Sequence, residues 1–329
     1  MSEAPGQGPS GETRSYHGQP ILKEPVWKWE IPVYFFTGGL AGGCAGLAYL
    51  SELRGERELS RRIWLGALAG ITVSPMLLIS DLGRPARFLN MLRMFKVTSP
   101  MSVGSWTLTV CGASTALATV NAWTGRFPRT GAVAKPLAAA SGLPLSTYTA
   151  ALLANTAVPV WHESPELLPF IFASGAALSA GAIGVAAMPP GHAPAARRLA
   201  LGAAALEGPL MELMVHRLGR YGKALRAGKS AKLANVSRAC IAGGATLLYT
   251  RGKSSRLASV ASGVLLCGGA MATRWSLFEA GFISASDPGN IVGPQRAAIR
   301  SGARRGGARH EARVGAADPR IGSPATTLG

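Results

Sequence analysis

Few side chains in this sequence can do chemistry, and they gather at the ends of long apolar runs. Asp81 and Arg84 close the run 63–81 in the phrase Asp81-Leu82-Gly83-Arg84-Pro85. Glu207, Glu212 and His216 lie within and at the end of the run 198–216, His162 and Glu163 follow the run 136–158, and Arg274 and Glu279 occupy the last part of the run 258–283. Carboxylates and imidazoles take up and release protons in catalysis, so Asp81, Glu163, Glu207, Glu212 and His216 are proton-transfer candidates. Tyr148 and Asn155 are seven residues apart, which puts them on one helix face, where each could hydrogen-bond a ligand carbonyl. An interhelical hydrogen bond or plain packing is the structural alternative. Glu207 and Arg274 lie deep in their runs, where a charge costs roughly 2.5–3.5 kcal/mol in a bilayer. They must pair or face a wet cavity, either as an ion pair that fixes helix register or as part of a proton or substrate path.

The runs themselves must position these residues. The chain has 329 residues, of which 48% are hydrophobic and only 15% charged, against about 25% charged in a soluble domain. Its charges are confined to the gaps between apolar runs, the pattern of an all-α, polytopic membrane protein. About eight transmembrane helices are expected, near 31–51, 63–81, 103–123, 136–158, 167–188, 198–216, 239–250 with flanking residues, and 258–283. They divide into two four-helix bundles, about 30–158 and about 166–285, within a membrane domain 30–285. Between the second and third spans, Phe88, Met91, Leu92 and Phe95 recur at helical spacing with Arg87, Asn90 and Arg93 opposite, which predicts a short amphipathic helix over 85–96 on the membrane surface. Residues 1–29 read as a polar tail without the apolar core of a signal peptide, and 286–329 as a disordered basic tail.

Eight spans place both tails on one side, so the second, fourth, sixth and eighth all run toward that side and their ionisable residues converge on one half of the bilayer. The basic loop Arg217, Arg220, Lys223, Arg226, Lys229 and Lys232 lies there too. By the positive-inside rule both termini are then cytoplasmic. The second span ends SDLGR (80–84) and the sixth ends HRLGR (216–220), as a pair of parallel four-helix halves would place them.

Several functions are excluded or disfavoured. The net charge of +18 sits in loops and tails, where topology and lipid contact account for it without nucleic acid. Cys44, Cys111, Cys240 and Cys267 all fall inside apolar runs with no Cys-x-x-Cys pair, so no metal or iron–sulfur site is expected. Haem would need paired histidines inside the spans, and the five histidines lie in tails, loops or span edges.

The sequence resembles the polysulfide reductase/NrfD family, membrane subunits of bacterial molybdopterin oxidoreductases, over about residues 25–285. The matching residues are Tyr34-Phe35-Phe36-Thr37-Gly38-Gly39-Leu40-Ala41-Gly42-Gly43, Asp81-Leu82-Gly83-Arg84-Pro85 with Arg87-Phe88, and Ser99-Pro100-Met101-Ser102-Val103-Gly104-Ser105-Trp106. Tyr148-Thr149, Leu152-Leu153, Pro159-Val160-Trp161 and Leu168-Pro169 add to them. The resemblance implies an eight-helix subunit of the bacterial cytoplasmic membrane with no haem or iron–sulfur cluster of its own. It implies an exchangeable menaquinone or ubiquinone near one membrane face. It further implies a four-cluster ferredoxin-like iron–sulfur subunit docked there, and a catalytic molybdopterin subunit holding molybdenum or tungsten. Asp81, Arg84, Tyr148 and His162 are the positional candidates for the quinone and docking region, and Tyr34 and Asn155 complete the set of quinone candidates. Some relatives carry a polar His or Asn near the start of the first span, where this chain offers Glu30 and Tyr34. The rival expectations are a secondary transporter, which paired halves and buried charges also fit, and a purely structural anchor.

Overall fold

The computed structural model describes Pro25, residues 27–84 and residues 86–287. Pro85, Val26 and the two expected tails before Pro25 and after Asp287 lie outside the described residues. Every long apolar run becomes a helix: α1 (Glu30–Leu53), α2 (Arg57–Leu82), α4 (Pro100–Thr124), α5 (Pro128–Ala154), α7 (Leu168–Ala187), α8 (Pro194–Leu218), α9 (Gly228–Arg251) and α10 (Arg256–Ser286). Between them lie the short α3 (Ala86–Met91) and α6 (Pro159–His162), and a 3-10 turn at Tyr221–Arg226. Seven of the helices are long and apolar enough to cross a membrane, so the chain is a multi-pass membrane protein. The eighth long helix, α9, has 24 residues but carries Lys229, Lys232 and Arg238 near its start.

Helices α1, α2, α4 and α5 pack in a ring as one four-helix bundle, and α7, α8, α9 and α10 form a second. The bundles meet mainly along α1 and α7. This explains the run of glycines in α1: in lipid, close packing of backbones replaces the hydrophobic drive, and small residues permit it. A side chain at Gly42 would collide with the Gly142 backbone of α5, and one at Gly43 with Ala176 of α7. Thr37 and Ser74 share a 2.9 Å hydrogen bond between α1 and α2.

The junction is fastened by Arg274, only 1% exposed. Its Nε donates to the Phe35 carbonyl of α1 at 3.1 Å, and its Nη2 to the Phe172 carbonyl of α7 at 3.0 Å. Nη1 donates to Ala270 one turn back on α10, at 3.2 Å. Gly39 and Gly175 leave room for the guanidinium, which lies over the Phe172 ring. A second fastening is Trp161 of α6, fully buried. Its indole donates to the Leu277 carbonyl of α10 at 2.8 Å, and its ring stacks between Trp27 and Phe278. The start of α1 and the end of α10 therefore share one face of the molecule.

Expectations change at the surface segment and at the bundle junction. The amphipathic segment is helical only over Ala86–Met91, because the chain after it is held in a loop by α4: the Ser102 hydroxyl donates to the Met94 carbonyl at 3.1 Å and accepts from the Lys96 amide at 3.0 Å. The expected ion pair between Arg274 and Glu207 is not formed; the guanidinium spends its donors on the three carbonyls and makes no ion-pair contact with Glu207.

Candidate functional site

On the face where α1 starts and α10 ends, the first bundle opens into a cleft with about 640 Å³ of empty space. Its walls are Trp27, Ile31, Tyr34 and Phe35 from the start of α1, Leu78, Asp81 and Leu82 from the end of α2, and Tyr148 and Leu152 from α5. Phe88 and Met91 of α3 and Met101 and Ser105 of α4 close it. The apolar side of the amphipathic segment thus lines the cleft, while Arg87 and Asn90 are exposed.

The polar atoms inside are few and unspent. Tyr34 is 1% exposed, yet its hydroxyl has no hydrogen-bond partner. A buried hydroxyl without a partner costs about 1–3 kcal/mol, so a ligand acceptor there would be rewarded. Tyr148 makes no hydrogen bond either among the described residues; its ring meets that of Tyr34 edge-on, centroids 6.5 Å apart, and packs against Gly104, where any side chain would strike it. Asp81 lies within the electrostatic reach of Glu30 and Lys28, and Glu30 is itself buried with one carboxylate oxygen unpartnered. Free hydroxyl donors in an aromatic slot, beside a carboxylate pair, can hold a flat, carbonyl-bearing ring and move its protons. Small-molecule sites in general are such apolar clefts with a few convergent polar groups.

The structure brings together three of the sequence candidates, Tyr34, Asp81 and Tyr148, and leaves others outside. Arg84 is exposed past the end of α2. Asn155 caps α5, and its amide turns back to the Ala151 carbonyl at 2.8 Å. His162 is exposed, its ring 3.2 Å from the Ala154 carbonyl. Glu163 and His216 are exposed on the same face, and Glu212 is exposed and paired with Arg226 at 2.6 Å. Sequence reasoning missed Phe35 and Ser105 as lining residues. Its place beside Tyr34 in the first-span motif was the signal for the first.

A second cavity, about 580 Å³ with the open space at its mouth included, lies in the second bundle on the same face, between α8, α9 and α10. Glu207 lines it, 1% exposed and with both carboxylate oxygens lacking a hydrogen-bond partner. Among the described residues no cluster of three His, Cys, Asp or Glu is placed to hold a metal ion.

Residues 14–285 match the polysulfide reductase family. The chain belongs to that family. The C subunit of the polysulfide reductase of Wolinella succinogenes is 34% identical over 87 residues, covering 24% of this chain and 27% of that protein, so the aligned part spans about a quarter of that relative's length.

In this polysulfide reductase family member, the two motifs singled out from sequence build the cleft. In the phrase Ser99–Trp106, Ser99 caps α4 by accepting from the Ser102 amide, and Pro100 occupies the first turn, where its missing N–H costs nothing. Ser102 and the Trp106 indole hold the Met94 carbonyl, Gly104 admits the Tyr148 ring and Ser105 faces the cleft. In Asp81–Arg84, Gly83 takes φ 68° to end α2, a conformation that favours glycine. That turn leaves Asp81 at the cleft and sends the chain into α3.

Proposed function

We propose that this chain is the quinone-interacting membrane subunit of a bacterial respiratory molybdopterin oxidoreductase. It passes electrons between the quinone pool and an iron–sulfur subunit and anchors the complex. The reading is carried by Tyr34, whose buried hydroxyl has no hydrogen-bond partner, set beside Tyr148 in an aromatic cleft. A menaquinone or ubiquinone headgroup is a flat apolar ring with two carbonyl acceptors, which is what that donor set lacks; when bound it supplies exchange of two electrons and two protons.

The chain's own residues divide the remaining work. Tyr34 and Tyr148 donate hydrogen bonds that orient a carbonyl ligand. Trp27, Phe35 and Phe88 keep water from its ring. Asp81, with Glu30 beside it, accepts and returns protons at the mouth of the cleft, and the exposed Glu163 and His216 on the same face hand them to water. Phe88 and Met91 form the floor on the membrane surface, over which a ligand with an isoprenoid tail enters from lipid.

The proposed partners are a four-cluster ferredoxin-like iron–sulfur subunit, docked on the face where the cleft opens, and a molybdopterin subunit carrying molybdenum or tungsten. The proposed location is the cytoplasmic membrane with both termini cytoplasmic, supported by the basic segment from Arg217 to Lys232 at that face.

The test is quinone-linked turnover of the whole complex in membranes, set against its activity with an artificial dye that bypasses the membrane subunit. Tyr148→Phe and Asp81→Asn are each expected to lower quinone-linked turnover about tenfold, the scale of one hydrogen bond at a desolvated site, and to leave dye activity intact. Unchanged quinone-linked turnover in both variants would remove this assignment.

A further inference from the structure

The second cavity is built from the opposite kind of chemistry, and the quinone reading makes no use of it. Glu207 lies eleven residues before the end of α8, about 16 Å along the axis, and so near the middle of a span. Its carboxylate is buried, aimed into the cavity and without a partner. The hydroxyls around it bond to one another and to backbone carbonyls: Ser237 and Thr273 share a 2.7 Å hydrogen bond in which either can donate, both lie within reach of the Gly269 carbonyl at 2.9 and 3.1 Å, and Ser276 has the Ser230 carbonyl at 2.9 Å. Their oxygens line the cavity beside Glu207, with Thr273 close enough to act on its carboxylate. An all-oxygen set around an unpaired carboxylate selects a small hard cation and rejects anions and soft metals.

We infer that Glu207, Ser237, Thr273 and Ser276 form a monovalent-cation site in the second bundle, taking a proton or an alkali ion of the sodium class from the face of the molecule where α8 ends. The charged groups around it fit such a site. Arg274 on α10 acts on Glu207 across space but gives its donors to backbone carbonyls. At the mouth, Arg226 is neutralised by Glu212 at 2.6 Å and Arg238 of α9 is held by Asn235 at 2.6 Å. Neither guanidinium closes over the carboxylate, so a cation reaches it without displacing an ion pair.

The test uses membranes carrying the full-length chain and the carboxyl reagent dicyclohexylcarbodiimide, which adds to protonated carboxyls in apolar surroundings. Labelling of the Glu207 peptide is read by mass spectrometry. A proton site gives labelling that falls about tenfold per pH unit once the acid ionises and ignores sodium chloride. An alkali site gives labelling slowed by sodium chloride and unaffected by choline chloride. The inference is overturned if Glu207 stays unlabelled at every pH, as a carboxylate ion-paired to Arg274 would, or reacts at a rate independent of both pH and sodium. Glu207→Gln removes the signal, and Glu212→Gln, at an exposed carboxylate, leaves it in place. The wild-type measurement decides the matter even if a variant fails to fold.

Discussion

The two bundles are built to one plan. Each runs long helix, long helix, short surface element, long helix, long helix, with α3 in the first and the 3-10 turn in the second. The second long helix of each ends in Leu-Gly-Arg. Gly83 adopts φ 68° and returns its amide to Ser80 at 3.3 Å; Gly219 adopts φ 52° and returns its amide to His216 at 3.2 Å. Each bundle then opens a cavity at that end. The difference is in what the cavities offer. The first presents free hydroxyl hydrogens on an aromatic wall, the second hydroxyl oxygens and a bare carboxylate. One backbone scaffold thus carries a donor site and an acceptor site, and the ligand class follows from side chains laid on it, not from the fold.

The sharpest way to break the comparison is at the junction the bundles share. Arg274→Ala is expected to be the most damaging single change, lowering stability by about 2–4 kcal/mol through lost bonds to buried carbonyls and a cavity between α1, α7 and α10. Arg274→Lys should not rescue it, because an ammonium cannot fan out to three carbonyls on two bundles and its own helix. Denaturation of the purified protein in detergent measures both. Wild-type stability of Arg274→Ala would mean that glycine packing and the Trp161 fastening join the bundles without it.

The cavities can next be separated from one another. Tyr34→Phe with Tyr148→Phe removes the donor pair and is expected to cut quinone-linked turnover by about ten- to hundredfold. Ser237→Ala with Thr273→Val strips the second cavity of its oxygens and should leave quinone binding unchanged. Redox titration of membranes with an added quinone analogue, read as the concentration for half effect, distinguishes the two. Equal losses in both double variants would merge the sites into one path.

How much of this was legible in the sequence depended on whether a helix followed its hydropathy. Seven spans stood out because apolar runs must be helices in lipid. The expected seventh span, 239–250 with flanking residues, is centred on the second half of α9, whose first half carries Lys229, Lys232 and Arg238 and is held to α10 by Ser230 and Ser237. Tyr34, Asp81 and Tyr148 were legible because each sits in regular helix whose ends are fixed by Gly83 or by packing. Asn155 and His162 misled because the fourth span was extended to 158, whereas α5 stops at Ala154. Asn155 is the residue that ends α5, and both its backbone N–H and its side-chain amide turn back to the Ala151 carbonyl instead of reaching toward Tyr148. The Glu207–Arg274 pairing followed from charge alone, which is blind to carbonyls; a guanidinium with five donors found three of them at a bundle junction.

A smaller effect tests the surface elements. Ser99→Ala deletes the cap of α4, a change worth about 1 kcal/mol, and loosens the loop that Ser102 and Trp106 hold at Met94. The second bundle caps α9 differently, since Ala227 offers its helix no side-chain bond. Proteolysis of membranes should therefore become faster between Met91 and Ser99 in Ser99→Ala, with cleavage near Arg226 unchanged.

The least effect is expected at the mouth of the second cavity. Glu212 and Arg226 make the tightest ion pair on that face, 2.6 Å, but their side chains are 61% and 65% exposed. Exposed pairs contribute about 0.2–1 kcal/mol and weaken with salt. Glu212→Gln should thus shift the denaturation midpoint slightly at low ionic strength and not at all at high. It also frees Arg226 to lean over the cavity, so sodium protection of Glu207 against the carbodiimide should weaken if the site takes an alkali ion, and the pH dependence of labelling should move if it takes a proton. A change in the quinone-linked rate from this substitution, with Glu207 chemistry unaltered, would mean that the mouth serves the first cleft and that the two halves are not separate.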